Sequence, residues 1–210
     1  MRNDLILWEV DAQADFMYPD GKLYVPGAEK LLSNFRRLTD AARHSQVFLV
    51  SHGCFHTPQD PEFQVFPPHC VQGTEGSRLV PEALTDRVAE VPNEVAGGLP
   101  DDLTQYQQIL LQKQTLDVFE SRHAQSLLDR LPRNAEFVVF GVVTEYCVRF
   151  AAKGLLERGR RVSIVRDAIE TLKPEDGQRA LDELRSMGAR LITTDEALAL
   201  IERATAPQGR

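Results

Sequence analysis

Phe137-Val138-Val139-Phe140 is a run of four large apolar residues, β-branched and aromatic, closed by Gly141. A run with no polar alternation suits a strand covered on both faces, and such strands belong to parallel sheets wrapped by helices. The same grammar recurs along the chain. Leu5–Val10, Gln46–Val50, Gln108–Gln112, Arg161–Val165 and Ala189–Thr194 read as five further strands. Between them lie stretches with helical spacing: 28–43 (Leu31, Leu32, Phe35, Leu38, Ala42), 117–131 (Phe119, Leu127, Leu128, Leu131), the stretch after Cys147 (Phe150, Ala151, Leu155, Leu156) and 173–187, which ends at Gly188. Asp195 is placed to cap a short last helix through Ile201. The expected fold is a three-layer α/β/α sandwich around a mostly parallel six-stranded sheet. It should form one domain over residues 1–203, followed by a frayed tail at 204–210.

Composition narrows the function. A net charge of -7 and the lack of a basic run argue against a nucleic-acid surface. No apolar stretch reaches the length of a membrane span, and the first residues do not read as a signal peptide. No GxGxxG or phosphate-cradling loop occurs, so no nucleotide cofactor is expected. Three cysteines, Cys54, Cys70 and Cys147, form no paired framework and suit a reducing cytoplasm with thiol or metal chemistry.

In open α/β sheets ligands bind beyond the carboxyl ends of the strands. Asp11, Lys113 and Cys147 each follow an apolar strand, so parallel pairing would bring them to one edge. Cys147 also stands where a strand hands over to a helix, whose dipole and free N–H groups favour a thiolate and an oxyanion. The three together permit acyl transfer to water through a thioester, with Asp11 as proton carrier and Lys113 as its charge partner. An ordinary ion pair beside a buried core cysteine would leave the same residues. A second cluster, Ser51-His52-Gly53-Cys54-Phe55-His56, ends the second strand, and a long loop then leads to His69 and Cys70.

Four segments, in this order and spacing, resemble the isochorismatase-like cysteine hydrolase family, closest in motifs to its nicotinamidase/pyrazinamidase members. They are VDAQADF with KLYVPGAE (Val10 to Glu29), PHCVQGT within Phe66 to Leu84, LLQKQTLDVF around Lys113, and GVVTEYCV (Gly141 to Val148). The resemblance implies that Asp11, Lys113 and Cys147 are the catalytic triad. It implies a cis peptide between Val142 and Val143, an oxyanion hole from the Val143 and Cys147 amides, and a pyridine ring held by Phe16 and Phe66. The implied reaction is nicotinamide to nicotinate plus ammonia, as in NAD salvage, with a small amide as the partner; a homo-oligomer is compatible with the resemblance. For the metal the family pattern is Asp-x-His followed by a later histidine. Here the histidines fall at His56 and His69, but Cys54 stands where the aspartate belongs. Three outcomes stay open: zinc held by Cys54, His56 and His69; His52 in place of Cys54; or no metal. The altered position also keeps open another small amide as substrate, and a non-catalytic binding role.

Overall fold

The computed structural model describes residues 4–206. Its sheet has seven strands, all joined in parallel, in the order β3-β4-β2-β1-β5-β6-β7. They are β1 (Leu5–Val10), β2 (Phe48–Cys54), β3 (Val88–Val91), β4 (Gln108–Lys113), β5 (Glu136–Gly141), β6 (Arg161–Ile169) and β7 (Arg190–Ile192). The helices are α1 (Ala14–Met17), α2 (Leu32–Arg43), α3 (Ala124–Arg130), α4 (Arg149–Glu157), α5 (Pro174–Ser186) and α6 (Thr194–Thr205).

The α/β/α sandwich is as the sequence implies, with one strand more than expected. The addition is β3, at the sheet edge, in a stretch that is not among the expected strands. β2 is also longer than its apolar run, continuing four residues past Val50 to Cys54. The helical spacing of 117–131 is realised only as a short turn at Val118–Glu120 followed by α3. The last helix is capped by Thr193 rather than Asp195: Thr193 and Glu196 exchange side-chain to backbone bonds in a capping box. That helix continues through Ala204 and Thr205, and residues 207–210 of the expected tail lie outside the described residues.

The apolar runs are explained by the two cores they feed. In β1, Leu5 and Leu7 join the core under α2 and α6, while Ile6, Trp8 and Val10 join the core under α3, α4 and α5. Val138 and Phe140 of β5 face the first core, Phe137 and Val139 the second. A polar chain crosses the first core. Gln108 donates to the Ser51 hydroxyl at 2.7 Å, and Ser51 donates to the Glu9 carboxyl at 3.2 Å. Glu9 is wholly buried, and burial pushes its carboxyl well above the usual range.

The chain builds one half of the sheet from β1 to β4 and the other from β5 to β7, so the connectivity reverses between β1 and β5. This is the position where open α/β sheets bind ligands. Two backbone features shape it. Asp11 has φ 51, a left-handed conformation that a short polar side chain tolerates. Gly141 has φ 133, and a Cβ there would sit 2.0 Å from the Val10 carbonyl oxygen. The Val142–Val143 peptide is cis.

Candidate active site

The carboxyl ends of β1, β4 and β5 bring Asp11, Lys113 and Cys147 together. Lys113 Nζ lies 3.0 Å from Asp11 Oδ2 and 3.5 Å from Cys147 Sγ. All three side chains are buried: Lys113 is 0% and Asp11 1% exposed. Cys147 sits in the wide turn Thr144–Val148 that precedes α4, two residues before the helix proper. Among the described residues the Val143 N–H beside it has no hydrogen-bond acceptor. That leaves a donor free at the site.

Cys54 is the fourth member of this cluster. It is paired in register with Lys113 across β2 and β4. Its sulfur lies 2.8 Å from Lys113 Nζ and 3.7 Å from Asp11 Oδ2. Gln13 fixes its backbone with two bonds, accepting from Cys54 N at 2.7 Å and donating to Cys54 O at 2.6 Å.

The charges on these groups depend on one another. Burial opposes the charge on Lys113, but Asp11 and the two sulfurs outweigh it and hold the ammonium well above the usual lysine value. A hydrogen bond from Cys147, helped by Lys113, holds Cys54 well below the usual thiol value against its burial. The same bond and burial push Cys147 up.

His56 and His69 approach Cys54 from the other side. Their ring nitrogens and the Cys54 sulfur all lie within 4.8 Å of one another. Val71 pairs with His56 across the loop, which ties the His69 segment to the end of β2. The Pro67 carbonyl oxygen bonds His69 Nδ1 at 2.8 Å, and the Asp60 carboxylate stands 3.0 Å from His56 Nδ1 without the geometry of a hydrogen bond. Such outer partners present Nε2 to a metal. His56 Nε2 is buried and has no hydrogen-bond partner. The donor set therefore fits a divalent metal, and one thiolate with two imidazoles matches zinc chemistry. His52 does not join this group. It lies 3.4 Å from Asp11 and packs edge-on against Trp8.

A cleft opens above these groups. Asp11, Cys54, His69, Val143 and Cys147 line its floor and sides, with Phe16 and Phe66 in its walls. The sequence reading missed four further wall residues, Leu23, Leu116, Tyr146 and Leu172, and also Glu62. Glu62 Oε1 stands 3.9 Å from His56 Nε2 and 3.8 Å from His69 Nε2, which puts a carboxylate beside the donor set. Its position three residues after Gln59 in a Pro-broken loop carries no pattern that points to this role.

The isochorismatase domain matches residues 5–93 and 91–196, nearly the whole chain. The chain belongs to the isochorismatase family. It is similar to a nicotinamidase of Escherichia coli, 29% identical over 206 residues, covering 88% of this chain and 92% of that protein. A nicotinamidase of Saccharomyces cerevisiae is 25% identical over 207 residues, covering 84% and 94%. Among solved structures, the pyrazinamidase of Pyrococcus horikoshii in complex with zinc superposes with a TM-score of 0.71 at 27% identity, covering 90% of this chain and 99% of that one.

Proposed function

We propose that this family member is a cysteine-dependent amidohydrolase that converts nicotinamide to nicotinate and ammonia. The observation that carries the reading is the meeting of Asp11, Lys113 and Cys147 at one sheet edge beneath a cleft walled by Phe16 and Phe66. Nicotinamidase relatives from a bacterium and a yeast support the substrate class.

Phe16 and Phe66 flank the pyridine ring. Asp11 takes the Cys147 proton as the sulfur attacks the carboxamide carbon. The Val143 and Cys147 amides receive the oxyanion. Asp11 then protonates the departing nitrogen, ammonia leaves, and a thioester remains. Asp11 next removes a proton from water as it attacks the thioester, and nicotinate is released with the thiol restored. Lys113 keeps the carboxylate in place and balances its charge throughout. Cys54, His56 and His69 would hold zinc, which when bound supplies a Lewis-acidic anchor for the ring nitrogen.

One observation favours a second reading. Cys54, in place of the aspartate that the resemblance implies, alters a group that lines the cleft, which would suit a different small amide. The deciding experiment is ammonia release from nicotinamide by the wild type and Cys147→Ala, before and after chelation and zinc re-addition. Release that vanishes in Cys147→Ala and falls reversibly on chelation is expected. A folded, zinc-replete wild type that releases no ammonia would overturn nicotinamide as substrate.

A further inference from the structure

We infer that Cys54 and Cys147 form an intramolecular disulfide under oxidation, which makes the floor of the cleft a reversible modification site. The two sulfurs lie within 4.8 Å of each other. Both touch the same ammonium, Lys113 Nζ, at 2.8 Å and 3.5 Å. Both line the same cleft, so an oxidant small enough to follow a substrate inward reaches both.

A disulfide needs the sulfurs about 2 Å apart. A single rotamer change moves a cysteine sulfur by roughly 3 Å, enough to close the gap. The structure assigns that movement to Cys147. Cys54 sits in a strand with its backbone held twice by Gln13. Cys147 sits in an irregular turn, next to Tyr146 at φ -115 and ψ -106. Cys70, the third free cysteine, belongs to neither sulfur's cluster; its backbone N–H bonds Asp15 and its thiol faces the Gly76 carbonyl.

The chemistry balances with hydrogen peroxide as oxidant. One thiolate attacks the peroxide, the O–O bond breaks, and a sulfenic acid and one water form. The second sulfur attacks the sulfenic sulfur, the S–O bond breaks, and a second water leaves as the S–S bond forms. Two electrons pass from the thiols to the peroxide. The product lacks both the proposed nucleophile and the sulfur donor of the proposed metal site. Linkage also spares Cys147, because a sulfenic acid with a resolving thiol beside it does not proceed to irreversible oxides.

The test is a peptide map of the intact, chelator-treated wild type after exposure to hydrogen peroxide and alkylation. Tryptic peptides 44–78 and 134–149 carry Cys54 with Cys70, and Cys147, respectively. The expected result is a linked pair of these peptides that is lost on reduction, with Cys70 alone alkylated. Cys70→Ser should give the same link, and Cys54→Ala should instead carry Cys147 to its sulfinic or sulfonic acid. Linkage through Cys70, over-oxidation of Cys147 in the wild type with Cys54 free, or three unmodified thiols after peroxide would each overturn the inference. The readout is mass, so a wild type that links but releases no ammonia from nicotinamide refutes the proposed substrate and leaves the disulfide standing.

Discussion

Removing the charge of Lys113 is the sharpest perturbation of the site. In Lys113→Met the chain keeps its bulk and loses the ammonium that lies 3.0 Å from Asp11 Oδ2. At that separation the pair is worth about 5 kcal/mol for an effective dielectric near 20. Neither group has water to replace the other, since Lys113 is 0% and Asp11 1% exposed. Asp11 Oδ1 already lacks a hydrogen-bond partner, and Oδ2 would keep only the Cys54 sulfur, 3.7 Å away. Breaking a buried pair on one side typically costs about 3–5 kcal/mol, whereas removing both charges costs far less. The expected loss is therefore about 3–5 kcal/mol for Lys113→Met, a fall of roughly 1–2 M in the urea midpoint for a chain of this size. Asp11→Asn with Lys113→Met should recover at least about 2 kcal/mol of the summed single losses, as coupled neighbours do. Asparagine suits the test because it tolerates the left-handed backbone at this position. Equilibrium unfolding of the wild type, both single variants and the double variant measures all of this. A Lys113→Met loss below about 1 kcal/mol, or a cycle that is additive, would refute the claim that a buried charge pair anchors the site.

Three further outcomes are expected. Gly141→Ala should lose more than about 4 kcal/mol, because its Cβ would meet the Val10 carbonyl at 2.0 Å; Gly159→Ala, also at positive φ but with open space around it, should lose only about 1–2 kcal/mol in thermal or urea unfolding. Glu9 has a folded-state value raised by burial, so its neutral form favours the fold at low pH and stability falls as pH rises from the unfolded carboxylate value toward the folded one. The slope from this group approaches about 1.4 kcal/mol per pH unit, and Glu9→Gln should flatten it; an unchanged profile in urea titrations across that range would contradict a buried neutral acid. Cobalt(II) added to the metal-free wild type should give a near-ultraviolet sulfur-to-metal band that Cys54→Asp lacks while still binding cobalt, and a band that survives in Cys54→Asp would exclude this sulfur as a ligand.

The parts of the fold that were legible are those where local pattern and tertiary burial agree. Phe137–Phe140 reads as a doubly covered strand because alternate residues feed two different cores. Asp11, Lys113 and Cys147 were reachable because each closes such a run, and parallel pairing sends all those ends to one edge. β3 hid because an edge strand of four residues, Val88-Ala89-Glu90-Val91, is only partly buried and has no continuous run. The cleft walls hid for another reason. Leu23, Leu116 and Leu172 lie in separate loops, and only contacts between distant parts of the chain give them a common face.

Cys54 shows how a strand boundary changes chemistry. A strand ending at Val50 would leave Cys54 in a loop, where it could meet the two histidines but would have no fixed relation to Lys113. The sequence past Val50 turns polar and reaches a glycine, so local pattern favours that earlier stop. The sheet overrides it: β2 lies between β1 and β4, and the ladder pairs Gly53 with Gln112 and Cys54 with Lys113. Gln13 closes the same end by pairing both backbone groups of Cys54. Registry therefore sets the thiol beside the ammonium that also touches Cys147, and the imidazoles then converge on a sulfur already committed to the other cluster. In this chain the proposed metal donors and the proposed acid–base cluster share one atom. A carboxylate at position 54 could serve the same two neighbours, but only a sulfur there can also join covalently to Cys147.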